Sequence, residues 1–200
     1  MSFILVEKQK MSISNRLEKH FAVCAAAVVT WNANLVIPNN IDGQYINVET
    51  QVYGSAAGLA AGWDLNPYGT STTTMSWFAA AAPSGCVTGL GQGGTTIAVA
   101  SLSNGTLVSA ASTFGNTASS VTAGGWVLNS ANYFGFRFLA QAGTTHYGWG
   151  IMTIGATMGV RTLTEVSYES TAATGITVAP APGALALLGL AGLATRRRRA

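Results

Sequence analysis

Tyr133-Phe134-Gly135-Phe136-Arg137-Phe138, the turn Gln141-Ala142-Gly143-Thr144, and Thr145-His146-Tyr147-Gly148-Trp149-Gly150-Ile151-Met152-Thr153-Ile154 decide the fold. Residues two apart on a strand share a face, so Phe134, Phe136 and Phe138 line one side, and three aromatics there imply a buried sheet face. A turn with glycine between two such runs makes a hairpin. Gly155 to Gly159 turns again, into Arg161-Thr162-Leu163-Thr164-Glu165-Val166-Ser167-Tyr168-Glu169. Three strands in succession with short links predict an antiparallel sheet.

Working toward the N-terminus, the same signals recur at short spacing. Trp31 to Ile37 reads as a strand ended by Pro38, with a turn over 39–43. Tyr45 to Val52 alternates apolar and polar and predicts one half-buried strand. Gly62-Trp63-Asp64 closes an apolar piece before a predicted loop at Asn66-Pro67-Tyr68-Gly69. Thr72 to Ala82 predicts a strand, although its alanines leave a helix open. Gly85 to Gly94 reads as a glycine-rich loop around Cys86. Thr96 to Ser101 and Thr106 to Ala110 flank Ser103-Asn104-Gly105 and predict a hairpin. The expectation for 28–179 is an all-β domain, an antiparallel β-sandwich or jelly-roll-like fold.

The two ends differ in kind from this body. Residues 1–27 carry Arg16, Lys19 and His20 before Phe21 to Val29, the layout of a secretory signal peptide, with Met11 as an alternative start. Cleavage is expected after Ala27, with Ala25 at the other small-residue position. This implies a signal helix handed to the Sec translocon. A lipid-bearing Cys24 is disfavoured, because the preceding Val23 is not small. At the other end, residues 180–200 run Pro180-Ala181-Pro182, then Gly183 to Ala194 built only of Gly, Ala and Leu, then Arg196, Arg197, Arg198 and Arg199. A short apolar helix there covers roughly 18 Å against about 30 Å of bilayer hydrocarbon. It is short for a permanent span, and the arginines are expected to stay on the cytoplasmic side.

That order of parts resembles the PEP-CTERM protein-sorting tail, also catalogued as a C-terminal domain of some ice-binding proteins. The family signature is Pro-Glu-Pro; here Ala181 replaces the glutamate. The resemblance implies recognition by an exosortase, a membrane transpeptidase, with transient or retained anchoring in the inner membrane. It also implies delivery to the cell envelope, outer surface or extracellular matrix. The body is similar to a recurring exported domain that precedes such tails, through Gly62 to Gly69, Tyr133 to Phe138, His146 to Trp149 and Val166 to Glu169. That likeness implies the sandwich and names no activity.

Charge excludes one class of partner. Of the ten Lys and Arg residues, eight lie in the two ends: Lys8, Lys10, Arg16, Lys19 and Arg196 to Arg199. Between them stand Arg137 and Arg161 against Asp42, Glu49, Asp64, Glu165 and Glu169, a net of −3. Nucleic-acid binding therefore lacks its electrostatic basis.

Catalytic chemistry finds few residues to use. His146 is the single histidine between the ends, with Asp42 or Asp64 as its only aspartate orienters, and no Gly-x-Ser-x-Gly elbow presents a nucleophile. A hydrogen-bonded structural imidazole is the expectation. No zinc-type ligand set or cofactor motif is present. Asp64, Asn66 and Gly69 match part of a calcium loop, but Tyr68 takes a ligand position, so a turn stabilised by Asp64 and Asn66 is preferred. Glu165 and Glu169 would lie about 13 Å apart on a strand, too far for glycoside cleavage. One of them is instead expected to pair with Arg137. Trp63, Trp126 and Trp149 are candidates to stack on sugar rings. The function expected is a non-enzymatic, exported surface or matrix protein, structural or exopolysaccharide-associated. The alternative is a carbohydrate- or ice-binding module carried by the same tail; Thr70 to Thr74 is threonine-rich as an ice-binding face would be, but no regular repeat extends it.

Overall fold

The computed structural model describes residues 27–80, 82–90, 97–121 and 125–179. Their strands, in chain order, are β1 Val28–Trp31, β2 Leu35–Val36, β3 Tyr45–Asn47, β4 Val52–Gly54, β5 Leu65–Tyr68, β6 Thr74–Ala79, β7 Gly85–Leu90 and β8 Ile97–Val99. There follow β9 Leu107–Val108, β10 Phe114–Gly115, β11 Thr117–Val121, β12 Ser130–Leu139, β13 Thr145–Ile154, β14 Arg161–Glu169 and β15 Ile176–Thr177. A single 3-10 turn, Ala57–Leu59, is the helical element among the described residues. None of their helices is long and apolar enough to cross a membrane. The predicted signal helix with Ala25, and the tail with Pro180, Ala181, Pro182 and Arg196 to Arg199, lie outside the described residues.

Hydrogen bonding joins the strands in the order β1-β14-β13-β12-β7-β8-β11-β6-β5-β3-β4, with β10 on β7 and β2 on β14. Every pairing is antiparallel except β8 with β11. β7 is where the path changes partners: Gly85 and Cys86 pair with β12, while Thr88 to Leu90 pair with β8. The two halves meet through their side chains, the Trp77 ring of β6 lying 4.7 Å from Phe134 of β12. The far ends of the path also meet, with Trp31 of β1 stacked on Tyr53 of β4. The domain is all-β with antiparallel pairing, an arrangement consistent with a β-sandwich.

The opening hairpin forms as its sequence predicts. Phe138 pairs with His146 and Phe134 with Gly150, and all three phenylalanines are fully buried. Each such ring contributes about 1.5–3 kcal/mol through burial. Glycines opposite make room for them: a Cβ on Gly148 would sit 2.3 Å from the Phe136 ring, and one on Gly150 2.5 Å from Phe134. The rings therefore lie across bare backbone on β13. β14 follows, with an irregularity in its pairing to β13 between Ile151 and Met152. That shift leaves Thr164 between Leu163 and Glu165, so Leu163 and Val166 both enter the main core.

Five expectations are corrected. The strand predicted over 45–52 is a hairpin, β3 and β4, because the Asn47 side-chain oxygen accepts the Thr50 N–H at 2.9 Å and Gln51 turns to φ 61°. The stretch 31–37 divides into β1 and β2 at Asn34, φ 45°. Asn66-Pro67-Tyr68 is strand β5, not a loop; β3 begins only at Tyr45, and the Pro67 carbonyl accepts the Gln44 N–H beyond it. Gly85 to Leu90 is strand β7, paired on both sides, rather than loop. The turn at Ser103 to Thr106 forms, with Gly105 at φ 87°, but its flanks do not pair: β8 joins β7 and β11, and β9 joins β15.

Arg161 fastens one end of the domain. It is 2% exposed and donates to the carbonyls of Pro38 (2.9 Å), Gly69 (2.8 Å) and Met158 (3.2 Å). Those carbonyls belong to the segments after β2, after β5 and before β14. Burial lowers its pKa, and the three carbonyl dipoles offset that cost.

Candidate functional site: an open aromatic face

The sequence-derived chemical candidates are held in structural bonds. His146 Nδ1 lies 2.8 Å from the Glu169 carbonyl oxygen and must donate to it; Nε2 then accepts from the Thr144 hydroxyl at 2.9 Å. The ring stacks on Phe138 and meets Tyr168 edge-on. This is the structural imidazole expected. The Asp64 carboxylate accepts the Val48 N–H at 2.8 Å, and burial pushes its pKa up to about 7. Neither hydrogen-bonding set includes the other residue, so no orienting aspartate is formed. Asn66 donates to the Asp42 carbonyl at 2.8 Å. The predicted Asp64–Asn66 turn is thus replaced by a strand, with both side chains used in tying β5 to its neighbours. Among the described residues no three His, Cys, Asp or Glu side chains converge to hold a metal.

The expected pairing of Arg137 with an acid is also corrected. Its guanidinium lies 4.5 Å above the Phe114 ring and its Nε donates to the Pro83 carbonyl. Glu165 accepts instead from Ser167, which in turn shares a hydrogen bond with Thr30; burial raises the Glu165 pKa. Glu169 accepts the Thr171 N–H at 2.8 Å. Cys86 is buried in the core and its thiol is pushed up by desolvation, away from thiolate chemistry.

The three tryptophans proposed for stacking divide. Trp126 is buried, donates Nε1–H to the Val99 carbonyl at 2.7 Å and packs on Trp77. Trp149 is 3% exposed and sits in a second apolar cluster with Val108, Tyr147, Ile151, Ile176 and Val178. That cluster lies on the outer side of β12–β14, under the small β9–β15 sheet. Both residues are withdrawn as ligand-stacking candidates, since no free ring face remains. Trp63 alone is half-exposed.

Register shows what surrounds it. On β6, Met75, Trp77 and Ala79 point to the core, so Thr74, Ser76 and Phe78 point outward. Pairing places Asn66 beside Phe78, Tyr68 beside Ser76, and Thr117 on the other side of Phe78. On β3, Ile46 faces the core and Tyr45 faces out. Trp63 meets Tyr45 edge-on, with centroids 5.0 Å apart and planes at 80°, and Phe78 at 5.7 Å and 41°. Phe78 is 42% exposed. The result is a ring corner on an otherwise hydroxyl-bearing face.

Trp63 is rigidly presented. Asn47 Nδ2 donates to the carbonyls of Ala61 and Gly62 at 2.9 and 3.0 Å, pinning the chain just before it. Just after it, Asp64 gives its N–H to Ile46 at 2.7 Å and takes that of Val48 on its carboxylate. Tyr45 and Phe78 were missed at sequence level. The alternation Met75-Ser76-Trp77-Phe78 was the available signal, since it sets Phe78 opposite the core-facing Trp77.

The chain matches no family model, no curated protein and no solved structure. What the fold and this face define is a class: an all-β, antiparallel domain with one outer face covered and the other bearing exposed aromatic rings.

Proposed function

We propose that this chain is an exported cell-surface or matrix protein whose C-terminal tail is a sorting signal for an exosortase-like membrane transpeptidase. Its β-domain is a structural or exopolysaccharide-associated element and not an enzyme. One observation carries the reading: Pro180-Ala181-Pro182, an uncharged Gly/Ala/Leu run and four arginines follow in that order, with only Thr195 between the run and the arginines. A folded domain has no physical use for that order, whereas a membrane pause with a cytoplasmic basic stop does. The body supports it in a secondary way. Its His146, Asp64 and Cys86 side chains are taken up in packing and hydrogen bonds to the backbone, as in a structural domain.

Intact-mass measurement of the protein recovered from its native cells tests this. The expected product begins at Val28 and has lost, or exchanged, its residues beyond Pro182. An untrimmed polypeptide free in the cytosol, arginines included, would overturn the proposal.

A second reading, a carbohydrate-binding module delivered by the same tail, is favoured by the open corner at Tyr45, Trp63 and Phe78. The ice-binding variant of that reading gains no support from the threonine-rich stretch. Ser71 accepts the N–H groups of Thr73 and Thr74, so Thr70 to Thr74 is a turn into β6 and not a flat rank of threonines.

A further inference from the structure

We infer that the corner formed by Tyr45, Trp63 and Phe78 binds a neutral polysaccharide, one sugar ring stacking on Trp63 while its hydroxyls meet the hydroxyl groups around it. The inference deepens the second reading above. It rests on the delivery proposal only for where the ligand would be encountered.

Four observations choose this occupant. A pyranose has an apolar C–H face and a rim of hydroxyls, and the site pairs aromatic faces with Ser76, Thr74, Thr117 and Tyr68, which can donate and accept. The rings are not coplanar: planes at 80° and 41° offer no flat platform for the side of a crystal, and match a single ring of a flexible chain better. No outward side chain on this face is charged, and the domain carries −3 between Val28 and Pro182, with the exposed Asp42 next to Gly43, whose backbone packs on Tyr68. An acidic polysaccharide would be repelled, so the ligand is neutral. Finally, the two nearly fully buried polar side chains Asn47 and Asp64 fix the chain on either side of Trp63. Rigid presentation of one ring lowers the ordering cost of binding.

Affinity electrophoresis of the full chain, in mild detergent, through gels holding soluble β-glucan, xylan or dextran tests the inference, with alginate as the anionic comparator. At least one neutral polymer should retard the protein, and Trp63→Ala should weaken that retention roughly tenfold or more, while any retention by alginate, which the terminal arginines attract, should be the same in Trp63→Ala as in the parent. Phe78→Ser, at an exposed position, should weaken it by a smaller factor while leaving the melting temperature near that of the parent. It decides the matter alone if Trp63→Ala does not fold. The inference is overturned if no neutral polymer retards a folded chain, if Trp63→Ala weakens alginate retention as much as that of the neutral polymer, or if retention is unchanged in the folded variants. It is equally overturned if the substitutions act only by dissociating a dimer, which sedimentation velocity reports. Such failures would leave the delivery proposal standing, since the mass measurement decides that independently.

Discussion

The two outer faces of this domain have opposite fates. On the β12–β14 side, Tyr147, Trp149 and Ile151 point outward from the sheet and are then buried by the short β9–β15 sheet and its flanking residues. On the β3–β5–β6 side, Tyr45, Trp63 and Phe78 point outward and stay half-buried or exposed. The same residue types occur on both, so composition does not separate them. The difference lies in what returns over the sheet: Ile176 and Val178 come back against β13, and Gly135 lets Val87, Val108 and Leu102 approach the β12 backbone, where a Cβ would meet them at 2.7–3.0 Å. An aromatic on the first face is packing. On the second it is available for contact.

Substitutions can break or sharpen that contrast. The largest effect is expected from Trp149→Ala, which should cost about 3–5 kcal/mol in chemical denaturation, whereas Trp63→Ala should cost roughly 1 kcal/mol. Equal losses would erase the distinction between the faces. Next comes Gly148→Ala, whose Cβ meets both the Phe136 ring and the Ser167 carbonyl; about 2–3 kcal/mol should be lost, lowering Tm by roughly 4–12 °C. An unchanged Tm would show that the phenylalanines do not lie across β13.

A smaller and pH-dependent effect is expected at Asp64, behind the open face. Its folded pKa is raised from 3.8 to about 7, so between those values the fold holds a proton that the unfolded chain releases. Its contribution to stability is fully present below pH 3.8 and is lost as pH rises through about 7. Unfolding free energies from chemical denaturation should therefore fall with pH across that window, with a slope approaching about 1.4 kcal/mol per unit, and Asp64→Asn should flatten it. A slope that survives the substitution would assign it elsewhere.

How far the sequence alone reaches depends on the physical signal. β12, β13 and β14 were legible because alternation, a glycine turn and aromatic enrichment agree with one another. β5 and β7 were not. Pro67 and the glycines at 85 and 89 argue locally for loop, and only pairing on both sides makes them strands. The break at Asn47 was hidden because its side chain imitates a backbone acceptor inside an unbroken alternating pattern. The corner around Trp63 was half legible. Its tryptophan was named, but burial of Trp126 and Trp149 depends on segments far away in the chain, which no local pattern reports.

The contrast between a covered and an open face is tested most directly by oxidative footprinting of the tryptophans in the folded full chain, read by mass spectrometry. Trp63 should oxidise readily, while Trp77, Trp126 and Trp149 should be protected until the chain unfolds. Oxidation of Trp149 as fast as Trp63 would contradict the account.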